Sequence, residues 1–264
     1  MAGQRIQRVI TRRANLRYDF PRDFSHRLDG QTVRRIIRRA KYLLVELGSG
    51  DTLVMHLGMS GSFRVERSAT RRGPSNENGL DAHDHVIFEM FGGVRVVFND
   101  PRRFGFMILV SPGEIDTHAT LGRLGPEPLA ARFDSAILAK ALAQRKTTLK
   151  AALLDQRVVA GLGNIYVTEA LHRARLSPKR AASTLVTRSG EPRPALDELV
   201  KAIREVLRIA IQRQYRVASG FSRKDSFLVY DREGLKCLRR GCTGTIKRIV
   251  QGGRSTFYCP ICQR

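Results

Sequence analysis

The residues of this chain best suited to a defined chemistry are its four cysteines, all of which lie from position 237 onward. They run Cys237-x4-Cys242-x16-Cys259-x2-Cys262, two close pairs on either side of an insert long enough for a hairpin. That spacing lets four thiolates surround one ion tetrahedrally, the arrangement preferred by structural zinc. Gly241 and Gly244 let the first pair turn tightly, and "TIKRIV" and "STFY" read as two strands joined at "QGG". Four cysteine ligands leave no open coordination position, so one structural Zn²⁺ is expected, not a catalytic one. The same stretch carries six basic side chains and no acid. Lys247, Arg248 and Arg254 lie on or beside the hairpin, which is therefore expected to face phosphate.

The rest of the chain extends that electrostatic reading. Over 264 residues, 47 Lys and Arg stand against 24 Asp and Glu, a net charge of +23 and a pI near 11.1. Such a field favours a polyanionic partner, either nucleic acid or an anionic membrane surface. No apolar run approaches the length of a membrane span, and the opening "MAGQRIQRVITRR" lacks the apolar core of a signal peptide. A soluble cytoplasmic protein without a disulfide framework is expected.

Two different periodicities must position these groups. Up to about residue 110 the pattern is mostly strands. "TLVMHLGMSGSFRV" and "HVIFEMFGGVRVVFND" are short β-branched and aromatic runs, the second a hairpin about Gly92-Gly93. The polar "ERSATRRGPSNENGLDAHD" between them reads as a surface loop, and the half as an all-β sandwich or barrel. From about 125 to 216 apolar residues recur at helical spacing, with "LVTRSGEPRP" as a polar connection. Within this part, "DQRVVAGLGNIY" predicts a helix ending near Arg157, a glycine-rich turn, and a second helix capped by Asn164. With Lys146 and Lys150 on the preceding helix, this is either a phosphate site or an ordinary helix hairpin with a good cap.

In order, "RRAKYLL", "HLGMSGS", "HDHV", "DPRRFG", "LGPEPL", "GLGNIY" and "RSTFYCPICQ" resemble the motifs of formamidopyrimidine-DNA glycosylases, and the resemblance covers nearly the whole chain. It implies a multidomain α and β protein: a β-sandwich domain over 1–112, a helix–two-turn–helix domain over 125–216 and a four-Cys zinc finger over 228–264. It implies a base-excision repair enzyme that removes oxidised purines, such as formamidopyrimidine and 8-oxoguanine, and nicks the abasic strand. Met59, Arg102 and Phe104 would fill the gap left by the rotated nucleotide. Lys41, His83, Arg102, Arg145, Lys146, Lys150, Asn164 and Arg254 would meet DNA. By the same resemblance Lys41 serves strand cleavage by β-elimination and Arg254 the later δ-elimination. The implied partner is damaged double-stranded DNA, bound by a monomer in a bacterial cytoplasm.

The sequence also departs from that family. Its members begin Met-Pro-Glu-Leu-Pro-Glu, whose proline amine attacks the sugar while the glutamate manages protons. This chain begins "MAGQRIQRV", which resembles the family only after that first helix: the proline, both glutamates and the helix that carries them are missing, and the resemblance puts Ala2 far along the fold from the place of the proline amine. Little excision of 8-oxoguanine is therefore expected of it, with abasic-site binding kept. The run "IQRQYRVASGFSRKDSFLVYDREG" reads as a shortened version of the family's lesion-covering loop. A non-catalytic DNA-binding paralogue that recognises abasic or distorted DNA is the second reading. An RNA-binding zinc-ribbon protein is a third, which "DPRRFG" argues against.

Overall fold

The structure is a computed structural model and describes residues 1–67, 80–216 and 227–264. The chain divides into two compact units, Met1–Arg123 and Leu124–Arg264. In the first, β-branched and aromatic runs form β1 (Ile6–Thr11), β2 (Val33–Arg39), β3 (Tyr42–Leu47), β4 (Thr52–His56), β5 (Ser62–Arg67), β6 (Asp84–Met90), β7 (Val94–Asn99) and β8 (Phe106–Val110). They make two antiparallel sheets, ordered β1-β6-β7-β5 and β2-β3-β4-β8. Inward residues of both sheets share one core. Ile6, Val9, Phe88, Met90 and Phe98 come from one, and Val45, Leu47, Leu53, Met55 and Met107 from the other. This is the expected β-sandwich. The β6–β7 hairpin turns at Gly92 and Gly93, whose φ angles of 95° and 77° a side chain would strain.

The short helix α1 (Phe24–Leu28) was not expected. It has one turn and no period to detect. It forms because Phe24 and Leu28 fall on one face and bury there, with Phe20 stacked on Phe24 at 4.9 Å. The polar run before β6 lies mostly at 68–79, outside the described residues.

The second unit holds α2 (Ser135–Leu142), α3 (Leu149–Leu154), α4 (Asn164–Arg173) and α5 (Pro194–Arg216), then β9 (Lys247–Gln251) and β10 (Arg254–Tyr258). Asp134 and Thr148 cap α2 and α3 by accepting from Ile137 N and Ala151 N at 2.8 and 3.3 Å. Proline opens α5, where its missing N–H is harmless, and Leu196, Leu199, Val200, Ile203 and Val206 form the buried stripe. The β9–β10 turn places Gly252 and Gly253 at φ 55° and 70°, the two left-handed positions of a tight hairpin, which fixes Arg254 opposite Gln251. The run read as a shortened lesion-covering loop lies largely at 217–226, also outside the described residues. Among the described residues no helix is long and apolar enough to cross a membrane.

Candidate nucleic-acid interface and metal centre

In the sandwich, two loops carry side chains that a core would normally hide. Met59, in the loop after β4, is 72% exposed, and Phe104, in the loop before β8, is 41% exposed. The Arg102 guanidinium lies over the Phe104 ring at 4.7 Å from its centroid. Glycine brings the two loops together. A Cβ at Gly58 (φ 63°) would sit 2.4 Å from the Phe104 carbonyl carbon, and one at Gly105 would sit 2.8 Å from the His56 carbonyl oxygen.

A buried carboxylate then fixes the arrangement. Asp100 Oδ1 accepts from Ser60 Oγ at 2.6 Å, and Oδ2 accepts from Gly105 N at 2.8 Å. Ser60 Oγ in turn accepts from Arg102 N at 3.2 Å. The three residues singled out in the sequence thus stand together on one braced ledge. Core packing is excluded for Met59 and Phe104.

Lys41 and His83 occupy separate places in this unit. Lys41 is exposed in the two-residue turn between β2 and β3, where Ala40 takes φ 52°. It lies close enough to His56 that, after burial, its charge is the next cause holding that imidazole below its ordinary pKa. Stacking on Phe106, with ring centroids 5.4 Å apart, and a 2.9 Å bond from Gly58 N to Nδ1 fix the His56 ring. His83 is exposed, while its backbone carbonyl accepts from Asp100 N at 3.0 Å.

In the second unit the structure gathers Lys150, Asn164 and Arg254 around one stretch of β10. Lys150, on α3, is wholly buried, and its Nζ donates to Thr256 Oγ1 at 2.5 Å and to the Ser255 carbonyl at 3.1 Å. Asn164 Nδ2 donates to the same carbonyl at 3.1 Å. Burial, then the charge of Arg254, pushes the Lys150 pKa down to about 8. Two cations this near one another are a place where an anion would relieve repulsion.

Three details differ from the sequence reading. Asn164 is the first residue of α4 and not its cap. Gly163 holds the cap position, and the Asn164 amide is turned to the hairpin instead. Helix α3 stops at Leu154, because the Asp155 side chain takes up Arg157 N at 3.0 Å and leaves the helix. Lys146 is exposed in the loop before α3, not on a helix. Arg145, beside it, donates to Asp155 Oδ2 at 2.7 Å, and Arg157 grips the same carboxylate, holding it well below the usual carboxylate range.

The four cysteine sulfurs all lie within 4.8 Å of one another, with Cys237–Cys262 at 3.8 Å and Cys242–Cys259 at 3.6 Å. Four Zn–S bonds of about 2.3 Å at tetrahedral angles place sulfurs roughly 3.8 Å apart, so the donor set fits a zinc-sized ion. The chemistry agrees. Burial pushes the Cys262 thiol up to about 12, with neighbouring cysteines adding to it, and a bound cation is what makes such crowded thiolates favourable. Gly244 is obligatory there, since a Cβ would meet Cys259 Sγ at 2.5 Å.

Several positioning groups escaped sequence reasoning. Glu169 of α4 is buried and accepts backbone N–H bonds from Leu228, Val229 and Tyr230, each at 2.9 Å, tying the approach to the finger onto that helix. His172, one helical turn on, places Nε2 at 3.4 Å from Cys237 Sγ and 3.7 Å from Cys262 Sγ. Asp100 was visible only as part of "DPRRFG". The signal for Glu169 and His172 is their place among apolar neighbours on α4, polar residues on a face that has to be buried.

Known proteins supply the wider frame. Residues 1–107 match the model of the formamidopyrimidine-DNA glycosylase N-terminal domain, 124–221 that of the H2TH domain, and 234–264 a zinc finger found in FPG and IleRS. Formamidopyrimidine-DNA glycosylases of Bradyrhizobium sp. (strain ORS 278) and Rhodopseudomonas palustris (strain BisB18) are each 56% identical over 276 residues, covering 100% of this chain and 94% of theirs. Among solved structures, MutM in complex with carbocyclic 8-oxo-G containing DNA superposes with a TM-score of 0.82 at 30% identity. The Lactococcus lactis Fpg complex with abasic-site-containing DNA gives 0.82 at 29%, and both cover 100% of this chain and 94% of that one. Shared residues over the full length, together with the ledge and the four-cysteine centre, lead to one conclusion: the chain belongs to the formamidopyrimidine-DNA glycosylase family.

Proposed function

We propose that this protein binds damaged duplex DNA, removes oxidised purines of the formamidopyrimidine and 8-oxoguanine kind, and nicks the abasic strand. The observation that carries this reading is the exposed thioether, guanidinium and ring of Met59, Arg102 and Phe104 on one braced ledge. Apolar groups held out in water by buried bonds are poised to fill the space of a base that has left the stack. Family members at 56% identity are named for this glycosylase activity, and the solved relatives hold 8-oxo-G and abasic-site DNA.

In this reading His83, Lys146 and Asn164 meet phosphates, while Lys150, expected at phosphate from the sequence but wholly buried against β10, acts through its charge, and Arg145 acts at one remove through its pairing with Asp155. Lys41 assists β-elimination and Arg254 δ-elimination, each by stabilising charge on a leaving phosphate. One structural Zn²⁺, held by Cys237, Cys242, Cys259 and Cys262, braces the finger that carries Arg254. The working divisions are a sandwich over 1–112, a helical domain over 125–216 and a finger over 228–264. The protein acts as a monomer in a bacterial cytoplasm.

The test compares affinity for duplexes with and without an abasic-site analogue. The protein should prefer the abasic duplex, and Phe104→Ala should lose that preference while keeping most affinity for intact DNA. Equal losses for both duplexes would remove the ledge from the reading. Borohydride trapping then separates chemistry from binding. A covalent adduct with abasic DNA supports the lyase, whereas tight binding with neither adduct nor nick identifies a DNA-binding member without catalysis.

A further inference from the structure

The metal centre has a neighbour from outside the finger. His172 sits in the last turn of α4, is 1% exposed, and directs Nε2 at two of the four sulfurs. Its other nitrogen, Nδ1, is buried with no hydrogen-bond partner among the described residues. A thiolate only accepts, so the contact requires the proton on Nε2, which leaves Nδ1 as a bare lone pair. The opposite tautomer would bury an unpaired N–H and point a lone pair at sulfur, the costlier arrangement on both counts. Arg239, from the loop between Cys237 and Cys242, donates through Nη2 to the His172 carbonyl, so finger and helix grip each other in both directions.

We propose that His172 is a positioning residue for the metal: it donates an Nε2–H bond shared by the Cys237 and Cys262 thiolates and fixes the loaded finger to α4. A dianionic tetrathiolate centre is stabilised by donors to its sulfurs, and outer partners of this kind typically change metal affinity about 10- to 100-fold. The arrangement gives metal loading a route to DNA. Asn164 opens the helix that His172 closes, about 12 Å away at 1.5 Å per residue. The side chain that holds the metal's sulfurs and the one expected at phosphate thus ride on one rigid element. The inference rests on the structural-zinc reading.

Its test uses the full-length zinc-loaded protein and measures zinc release to a colorimetric chelator. His172→Phe keeps the ring volume and removes the donor; release should quicken about tenfold or more. His172→Gln returns an N–H near the Nε2 position and should restore release to within about threefold of the parent. Cobalt-loaded protein should show a shifted sulfur-to-metal charge-transfer band in the Phe variant and not in the Gln variant. Equal release by parent and His172→Phe overturns the proposal, as do equal losses in Phe and Gln variants, which would mean packing alone. If His172→Phe does not fold, nitrogen NMR of the zinc-loaded parent decides: a proton on Nε2 supports the bond, and one on Nδ1 overturns it. A parent that binds no zinc fails the zinc reading itself and overturns both, which metal analysis at the outset shows separately.

Discussion

At the scale of single residues, the two groups that matter most to the proposed interface are both buried, and each makes a distinct prediction. Lys150 has a folded pKa near 8, below its ordinary 10.5, so the unfolded chain holds that proton more tightly. The burial penalty is therefore complete below about 8 and is relieved as pH rises toward 10.5. Stability of the second unit should rise over that window while affinity for DNA falls, because the neutral amine no longer attracts phosphate. Lys150→Met should flatten both curves, read by denaturant titration and by fluorescence anisotropy at each pH. Asp100 acts on the ledge without touching DNA. Replacing it with Ala leaves the buried Gly105 N–H unpaired, at a cost of about 1–3 kcal/mol. Preference for abasic over intact duplex should drop with it, and an unchanged preference would show that the loops hold their shape without the carboxylate.

At the scale of elements, the ledge depends on contacts that only glycine permits. Gly58→Ala would drive a methyl group into the Phe104 backbone at a left-handed position. It should cost about 1–3 kcal/mol in thermal or denaturant unfolding and blunt lesion preference, whereas Gly92→Ala, whose Cβ would meet none of the described residues within 4 Å, should cost only local strain. The same elements show why the sequence was readable in part. Strand runs, the Gly92-Gly93 hairpin, the stripe of α5 and the cysteine hairpin all carry strong local periods or spacings, and all formed as expected. Helix α1 has too few residues for a period, so only the partners of Phe24 and Leu28 define it. Asn164 looked like a cap because its type suits one. What turned it away is a carbonyl of β10, ninety-one residues distant, and no local pattern reports a contact of that range. The roles of the buried polar braces at Asp100, Glu169 and His172 were hidden for the same reason: their partners are mostly backbone atoms or residues far along the chain.

At the scale of the whole molecule, a net charge of +23 makes ionic strength the main control on binding. Log affinity should fall linearly with log salt, and Lys146→Ala or Arg254→Ala should each lessen the slope by about one, for damaged and intact duplex alike. A slope unchanged in both variants would remove these residues from the phosphate contacts. The division of the chain has a consequence of another kind. The first unit closes one apolar core, and the second closes two, one among its helices and one around the cysteine centre. Heating should therefore not give one all-or-none transition, since two compact units with no apolar core cluster in common are two cooperative systems. Calorimetry should resolve two endotherms. Stripping the metal should move the one belonging to Leu124–Arg264 to lower temperature and leave the sandwich's melting point in place.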